Sequence, residues 1–322
     1  MYSKLKIVSG WMGTGDGSDY FRGNHHPSSG LSDYLQQLIS ALRSLHFREP
    51  VELHFNVQPT LSSASKILFL LEHKYIRPQN FFLNPRRYKA VFGWDADLNM
   101  HENFVYTRYP HNFSLSPFNK SRSKKYVMLC SNRNLLCGPK ASSIYNKRQE
   151  VISYFERQTY DFHLYGAGWR SPFTQAGLIG FARSKLNSHF FESSLVLANY
   201  RGLASNKFEL LREAEFNFCF ENIDGYNGYV SEKIWDALSA GCIPVYWPSS
   251  RLDDLYVPSD SYIDASAFDS ICQLISFLED MSISERLERQ RYSLEVAAKM
   301  KNEISVDFYV DHIANKIRSL NL

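Results

Sequence analysis

The sequence predicts an α/β protein of two domains, and three observations carry this. At 322 residues the chain is long for one hydrophobic core, so two are expected. Short apolar runs of strand length alternate with stretches of helical periodicity, as in sheets built from βαβ units. Between the halves lies "NFSLSPFNKSRSKK", Asn112 to Lys125, polar, basic and punctuated by Pro117, which reads as a linker. The expected domains are residues 1–118 and 126–305, with a last helix, 306–322, packing back on the first domain.

Each element has its own reason. Lys4 to Ser9 ("KLKIVS") reads as a strand running into glycines at 13, 15 and 17. These lack the spacing and the immediate helix of a dinucleotide-binding loop, and are expected to shape a cleft near an acceptor. A helix starts near Ser32, with Leu35, Leu38, Ile39 and Leu42 at i, i+3, i+4 and i+7. "VELHFNV" alternates, placing Val51, Leu53, Phe55 and Val57 on one face. "KILFLL" is continuously apolar up to Glu72, as in a buried parallel strand, and "KAVFGW" is another short strand. Beyond the linker come a strand from Tyr126, a helix over 143–157, the strand "FHLYG" and the short helix "NKFELLREA". Residues Trp169 to Asn199 show no readable pattern. From about Ala267 onward the chain reads as mostly helical.

Composition narrows the function. The net charge of +3 gives no basic stripe of the kind that holds nucleic acid. Aromatics reach 15%, with 20 Tyr and 23 Phe; such residues suit sugar or base clefts but more often fill cores. The cysteines Cys130, Cys137, Cys219, Cys242 and Cys272 match no zinc spacing and read as thiols in a reducing compartment. The N-terminus resembles neither a signal peptide nor an anchor, and no run is long enough to span a membrane. A cytoplasmic protein is expected, with room for peripheral contact with a membrane. The sequons at Asn112 and Asn119 are short enough to arise by chance.

The stretch from Phe218 to Ser249, "FCFENIDGYNGYVSEKIWDALSAGCIPVYWPS", holds the most chemistry. It reads as strand, Gly-bearing loop, helix N-capped by Ser231, a Gly241 terminator and return strand, hence a right-handed βαβ unit. Ligands of such sheets sit beyond the carboxyl ends of the strands, where a helix N-terminus offers free N–H groups to an anion. Lys233 in the first turn opposes the helix dipole, so an anionic ligand or a neighbouring carboxylate is its expected partner. Glu232 suits the dipole and could accept from sugar hydroxyls. Either the pair marks a nucleotide-sugar diphosphate site or it is a solvated first turn.

This stretch resembles the donor-site signature of glycosyltransferase family 10, the α-1,3/1,4-fucosyltransferases: Phe-Glu-Asn after a strand, Tyr-Val-Ser-Glu-Lys, then Pro-Val-Tyr-Trp. "YGAGW" (Tyr165 to Trp169), "YRGLASNKFELLREAEFNF" and "CSNRN" followed by "NKRQEVISYF" are similar to further family segments. The likeness is good from about Tyr126 to Ser250 and weak over the first 65 residues. It implies a GT-B fold, two Rossmann-like domains facing across a cleft, and a bacterial-type enzyme using GDP-fucose. It assigns Arg148 and Lys233 to the donor diphosphate, Glu232 to ribose or fucose hydroxyls, and Asn222 and Tyr229 to the pocket wall. The segment "LFLLEHKYIRPQNFF" resembles the one that carries the general base, which puts that role on Glu72. Here Leu71 and His73 flank the glutamate where the bacterial motif has Gly and Asn.

The implied reaction is an inverting transfer of L-fucose to a GlcNAc or Glc hydroxyl of a glycan acceptor, in α-1,3 or α-1,4 linkage. One carboxylate takes the acceptor proton, and fixed cations stabilise the departing diphosphate, so neither metal nor cofactor is expected. A transferase of the same fold with another nucleotide sugar, or a catalytically silent glycan-binding protein, are the alternatives. Asp95-Ala96-Asp97 is a DxD tripeptide of the metal-binding kind, but it is common by chance and precedes the linker. His25, His26 and His101 show no ligand spacing. Arg86, Arg87 and the "KSRSKK" run read as solvated loop charge, with contact to anionic lipid or a lipid-linked acceptor as the other reading.

Overall fold

The structure is a computed structural model that describes residues 4–9, 13–15, 31–135, 143–169, 197–249 and 256–322. The chain divides into two compact units, Met1–Asn112 with Asn302–Leu322, and Phe113–Lys301. In chain order the helices are α1 (Leu31–Arg43), α2 (Tyr145–Phe155), α3 (Lys207–Arg212), α4 (Glu232–Ser239), α5 (Ile271–Asp280), α6 (Ile283–Ile304) and α7 (Val306–Ser319).

The first unit is built on β1 (Leu5–Ser9), β2 (Gly13–Gly15), β3 (Val51–Phe55), β4 (Ser65–Leu70), β5 (Ala90–Gly93) and β6 (Phe104–Tyr106), in the order β2-β1-β3-β4-β5-β6. All neighbours are parallel except β2, which turns back on β1 with Ile7 opposite Gly15. The first glycines therefore form an edge strand. One face of the sheet, Leu5, Ile7, Leu53, Phe55, Ile67, Phe69 and Phe92, packs on Leu35, Leu38, Ile39 and Leu42 of α1. Val306, Tyr309, Val310, Ile313 and Ile317 of α7 complete this core. Tyr34 and Tyr309 meet edge to face with centroids 5.1 Å apart. Burying a Leu- or Ile-sized side chain contributes about 1.5–3 kcal/mol, so this stripe offsets a large part of the cost of ordering a last helix.

The alternation in "VELHFNV" stops one residue early. Asn56 takes a left-handed φ of 59°, which Asn tolerates better than most residues. Val57 then joins Leu68, Leu70, Tyr88 and Val91 on the other face. Glu52 and His54, also on that face, are buried as well. Glu52 Oε1 accepts from Lys6 Nζ at 3.1 Å, and its Oε2 accepts from Thr60 Oγ1 at 3.2 Å and lies 3.2 Å from His54 Nε2.

The second unit holds β7 (Lys124–Leu129), β8 (Phe162–Tyr165), β9 (Ala214–Phe218), β10 (Ile243–Tyr246) and β11 (Ile263–Asp264), ordered β11-β10-β9-β7-β8 and parallel throughout. The aromatic share is used in its core. Phe155 stacks on Phe162 at 4.2 Å and Tyr126 on Phe216 at 5.5 Å, and α2 and α5 close the same cluster through Val151, Ile152, Leu274, Ile275 and Leu278. Since every strand runs the same way, all carboxyl ends reach one edge of the sheet.

The boundary between the units falls after Asn112, ahead of residue 118, because the linker packs on the second unit. Phe113 lies against Trp235 at 6.2 Å, and Ser116 N–H donates to Ser239 O at 3.0 Å. The linker charge is not all solvated. Arg122 Nη1 donates to Leu211 O, Arg212 O and Ala214 O at 3.1, 3.0 and 2.7 Å. Its Nη2 donates to Ala240 O and Gly241 O at 3.2 and 2.7 Å. One guanidinium thus satisfies carbonyls at the C-terminal ends of both α3 and α4, where helices carry unpaired acceptors and negative dipole ends. The Asn119 amide donates to Arg212 O as well, at 3.2 Å.

Removing Arg122 should therefore strand several carbonyls at once. Arg122→Ala is expected to lower the unfolding free energy of the chain by on the order of 3 kcal/mol, read by urea titration. Arg122→Lys should recover only a minor part, because an ammonium cannot span the fork. A loss under half a kcal/mol (about the scatter of surface substitutions) would show that the guanidinium is incidental.

Candidate functional site

The β9–α4–β10 unit is the parallel crossover that the Phe218–Ser249 stretch predicts, with Ile243 beside Phe216 and Val245 beside Phe218. Gly241 ends α4 at φ 65°, a conformation that suits glycine. The loop between β9 and α4 carries Glu221 and Asn222, and α4 opens with Glu232 and Lys233.

The centre of this site is Glu221, which is fully buried and to which the sequence reading gave no role. Its Oε1 accepts from Ser231 N at 2.8 Å and Tyr246 Oη at 2.8 Å. Its Oε2 accepts from Ser231 Oγ at 2.8 Å and Lys233 Nζ at 3.3 Å. A buried carboxylate is tolerated when donors replace its water, and here β10 and the first turn of α4 supply them. Ser231 does occupy the N-cap position, but its hydroxyl makes no capping bond; it serves Glu221 and accepts from Lys233 Nζ at 2.8 Å. The one clue in the sequence was an acid directly after an apolar strand, with Ser231, Lys233 and Tyr246 in the same βαβ unit.

Lys233 thus has a neighbouring carboxylate. Burial pushes its pKa down, but Glu221 and Glu232 outweigh burial and raise it, against a smaller opposing effect of Arg148. The ammonium is therefore held charged at the dipole-positive end of a helix while its side chain keeps 20% exposure. Glu232 Oε1 stands 3.8 Å from Nζ and is more open, at 37%. By linkage, the stability owed to the raised pKa is complete below the ordinary lysine range and is lost only as pH climbs past it.

Arg148, on α2, is buried and reaches the same loop. Its Nη2 donates to Phe220 O at 2.6 Å, Glu221 O at 2.9 Å and Asn222 Oδ1 at 2.8 Å. Asn222 Nδ2 in turn donates to Tyr229 Oη at 3.1 Å. Arg148, Asn222, Tyr229, Glu232 and Lys233 are therefore one connected constellation around Glu221. All three bonds of Arg148 come from a single nitrogen. Its field acts on Lys233, and both cations hold parts of Glu221, Lys233 its carboxylate and Arg148 its carbonyl.

The "YGAGW" segment supports the neighbouring strand ends. Gly166 has φ 137°, and a Cβ there would collide with the Cys130 carbonyl oxygen. Trp169 Nε1 donates to that oxygen at 2.7 Å, and Asn132 N–H donates to Ala167 O at 2.8 Å.

Glu72 belongs to the other unit, just beyond β4. Its backbone is clamped by two buried amides. Asn56 Oδ1 accepts from Glu72 N at 3.1 Å, Leu71 N at 3.2 Å and Asn80 Nδ2 at 3.0 Å. Asn80 Nδ2 donates to Glu72 O at 2.6 Å, and Asn80 Oδ1 accepts from Val57 N at 2.8 Å. No local pattern could reveal this clamp, since its parts are scattered along the chain. Beside it, burial and Lys74 push the His73 pKa down to about 4, so the ring is neutral at physiological pH. Its Nδ1 accepts from Tyr75 N at 3.2 Å, which puts the proton on Nε2.

Asp95, of the DxD tripeptide, caps a 3₁₀ turn by accepting from Asp97 N at 3.1 Å, which accounts for the motif locally. Among the described residues no cluster of three or more His, Cys, Asp or Glu could hold a metal ion. His25 and His26 lie outside the described residues.

Residues 185–315 match the family model "Glycosyltransferase family 10 (fucosyltransferase) C-term". A segment of 74 residues is 39% identical to an alpha-(1,3)-fucosyltransferase of Helicobacter pylori, covering 23% of this chain and 15% of that protein. Another of 102 residues is 31% identical to GDP-fucose protein O-fucosyltransferase 3 of Bos taurus, covering 32% and 20%. An 83-residue segment is 30% identical to 4-galactosyl-N-acetylglucosaminide 3-alpha-L-fucosyltransferase 9 of Mus musculus, covering 26% and 23%. These matches span less than a quarter of each relative. A crystal structure of an alpha1,3-fucosyltransferase with GDP superposes with a TM-score of 0.54 at 15% identity, over 98% of this chain and 90% of that one. That likeness carries the fold alone: the fold class is GT-B, here with a parallel-sheet α/β unit in each half.

Two outcomes follow from the site. Glu221→Gln leaves Lys233 without its buried counter-charge and should cost about 3–5 kcal/mol of stability, against about 1.5–3 kcal/mol for Tyr246→Phe, which removes one hydrogen bond to the carboxylate; a larger loss in Tyr246→Phe than in Glu221→Gln would remove the carboxylate from the centre. His73 must gain a proton on unfolding between its folded pKa of about 4 and its ordinary value of 6.5. Stability should therefore fall as pH is lowered through that window, by on the order of 3 kcal/mol in all from this group. His73→Gln should flatten that part of the profile in a pH series of urea melts, and an unchanged slope would contradict the assignment.

Proposed function

We propose, from the match of residues 185–315 to the glycosyltransferase family 10 model, that this chain is an inverting GDP-fucose-dependent fucosyltransferase. Its acceptor is a GlcNAc or Glc hydroxyl of a glycan, and the bond made is α-1,3 or α-1,4. The observation that carries the reading is the Lys233 ammonium, held charged by Glu221 at the N-terminus of α4 with Arg148 beside it. Two cations and free helix N–H groups form a cradle for a diphosphate. Fucose as the transferred sugar is supported by the relatives, whose names agree on it.

In the reaction the acceptor oxygen bonds to the anomeric carbon of fucose while that carbon's bond to the β-phosphate oxygen breaks. The bonding pair leaves with GDP, and the acceptor proton passes to Glu72 as general base. The positive character that builds on the sugar is matched by negative charge on the diphosphate. Lys233 and the Arg148 guanidinium meet that charge as it grows, which lowers the barrier. Glu232 and Asn222 serve ribose or fucose hydroxyls, and Tyr229 braces Asn222. The reaction proceeds with neither metal nor cofactor. The thiols of Cys130, Cys219, Cys242 and Cys272 are free, which supports a reducing, cytoplasmic setting.

A second reading of the acceptor rests on the relatives named as protein O-fucosyltransferases: a polypeptide hydroxyl in place of a sugar hydroxyl. Transfer of label from GDP-fucose to a panel of glycans and peptides separates the two, and competition by other nucleotide sugars tests the donor.

Glu72→Gln keeps the shape but cannot take the proton. It should lower kcat by about 10²–10⁴-fold while GDP affinity stays at the wild-type value; transfer at more than a third of the wild-type rate would remove Glu72 from the mechanism. Lys233→Ala and Arg148→Ala should each weaken GDP binding by about 1.5–3 kcal/mol in calorimetry, and unchanged affinity in both would place the donor elsewhere. Excess chelator should leave activity intact; loss restored by manganese would overturn the cradle.

A further inference from the structure

We infer that the connection between β4 and β5 is a docking surface for a bilayer containing anionic phospholipid. Phe81 is 51% and Phe82 80% exposed, and this exposure is imposed by the fold. The two rings lie at the end of a 3₁₀ turn, Pro78–Phe82. Asn80, just before them, is buried and bonded to Val57 N and Glu72 O. Leu83, just after them, packs on the cluster of Leu68, Leu70, Tyr88 and Val91. The chain is thus pinned on both sides of the aromatic pair, and the rings cannot fold back without breaking these contacts.

Along the connection itself the charge has one sign, between Glu72 at one end and Asp95 beyond the other. Residues 73–90 contain Lys74, Arg77, Arg86, Arg87 and Lys89 and no Asp or Glu. Arg86, Arg87 and Lys89 are exposed and make no ion pair among the described residues. Arg86 and Arg87 sit in a second 3₁₀ turn, Pro85–Arg87, capped by Asn84 accepting from Arg86 N at 3.2 Å. Asn103 Nδ2 holds that turn through Pro85 O and Tyr88 O, both at 2.8 Å. Lys74 Nζ lies 5.7 Å from the Phe81 ring centre. Paired aromatic rings flanked by cations on a fixed loop match the interface of a bilayer, where rings enter the headgroup boundary and cations meet anionic headgroups.

The test is sedimentation of the full chain with vesicles of phosphatidylcholine alone and of phosphatidylcholine with phosphatidylglycerol. The expected result is binding to the anionic vesicles only, weakened by added salt. Arg86→Gln with Arg87→Gln should weaken it about thirtyfold, from about fivefold per arginine, and Phe81→Ser with Phe82→Ser should abolish it. Phe277→Ser, at another exposed ring, should bind as the wild type does. The proposal fails if the wild-type chain ignores anionic vesicles or if both loop variants bind like it. It also fails if the Phe variant keeps vesicle binding but raises KM for a soluble acceptor, since the rings would then serve the acceptor. Vesicle binding is read without turnover, so the result stands whether or not the chain transfers fucose.

Discussion

A carboxylate with no solvent contact governs the second unit. Glu221 would be costly alone, but five hydrogen bonds from Ser231, Tyr246 and Lys233 replace its hydration. Those partners come from β10 and from the start of α4, so satisfying one acid fixes the helix to the strand beside it. It also solves the problem of Lys233, a cation placed against the dipole of its own helix. With Glu221 in place the charge persists at the N-terminus of α4, and under the proposed function no reorganisation is needed when negative charge develops there.

The rest of the unit maintains that geometry. Arg122 ties the C-terminal ends of α3 and α4, and Lys207 meets Asp236 on α4 at 2.7 Å, so the helix is held by the end that faces away from the site. Arg148 gathers the loop carbonyls after β9, and Gly166 lets the β8 end approach β7. In the first unit the same economy recurs with neutral groups: Asn56 and Asn80 hold the Glu72 backbone by its N–H and its C=O. Glu72 is thus carried on a fixed strand end.

Much of the fold was legible because its signals are local. The stripe Leu35, Leu38, Ile39 and Leu42 shows a helix, the run Ile67–Leu71 a buried strand, and Gly241 a helix terminator, each from a few neighbouring residues. Glu232 and Lys233 stood out from the first turn of their helix, Arg148, Asn222 and Tyr229 through a family resemblance, and the structure gathers the five into one network. What sequence could not show depends on distant partners. Glu221 reads as an ordinary acid until Tyr246 is brought beside it. Arg122 reads as linker charge until two helix ends converge on it. The glycines at 13 and 15 read as a loop, because nothing local distinguishes a loop from a short antiparallel edge strand. Strand β6, three residues long and only partly buried, was too short to stand out.

The central claim is that Glu221 keeps Lys233 charged in a desolvated setting. It is tested most directly by following the Lys233 side-chain amine by NMR in labelled protein as pH is raised, in the wild-type chain and in Glu221→Gln. The account predicts that the wild-type Lys233 remains an ammonium after the exposed lysines have lost their protons, and that Glu221→Gln brings its titration down to theirs or below. A wild-type Lys233 that titrates with the exposed lysines, or one that the substitution leaves unmoved, would contradict it.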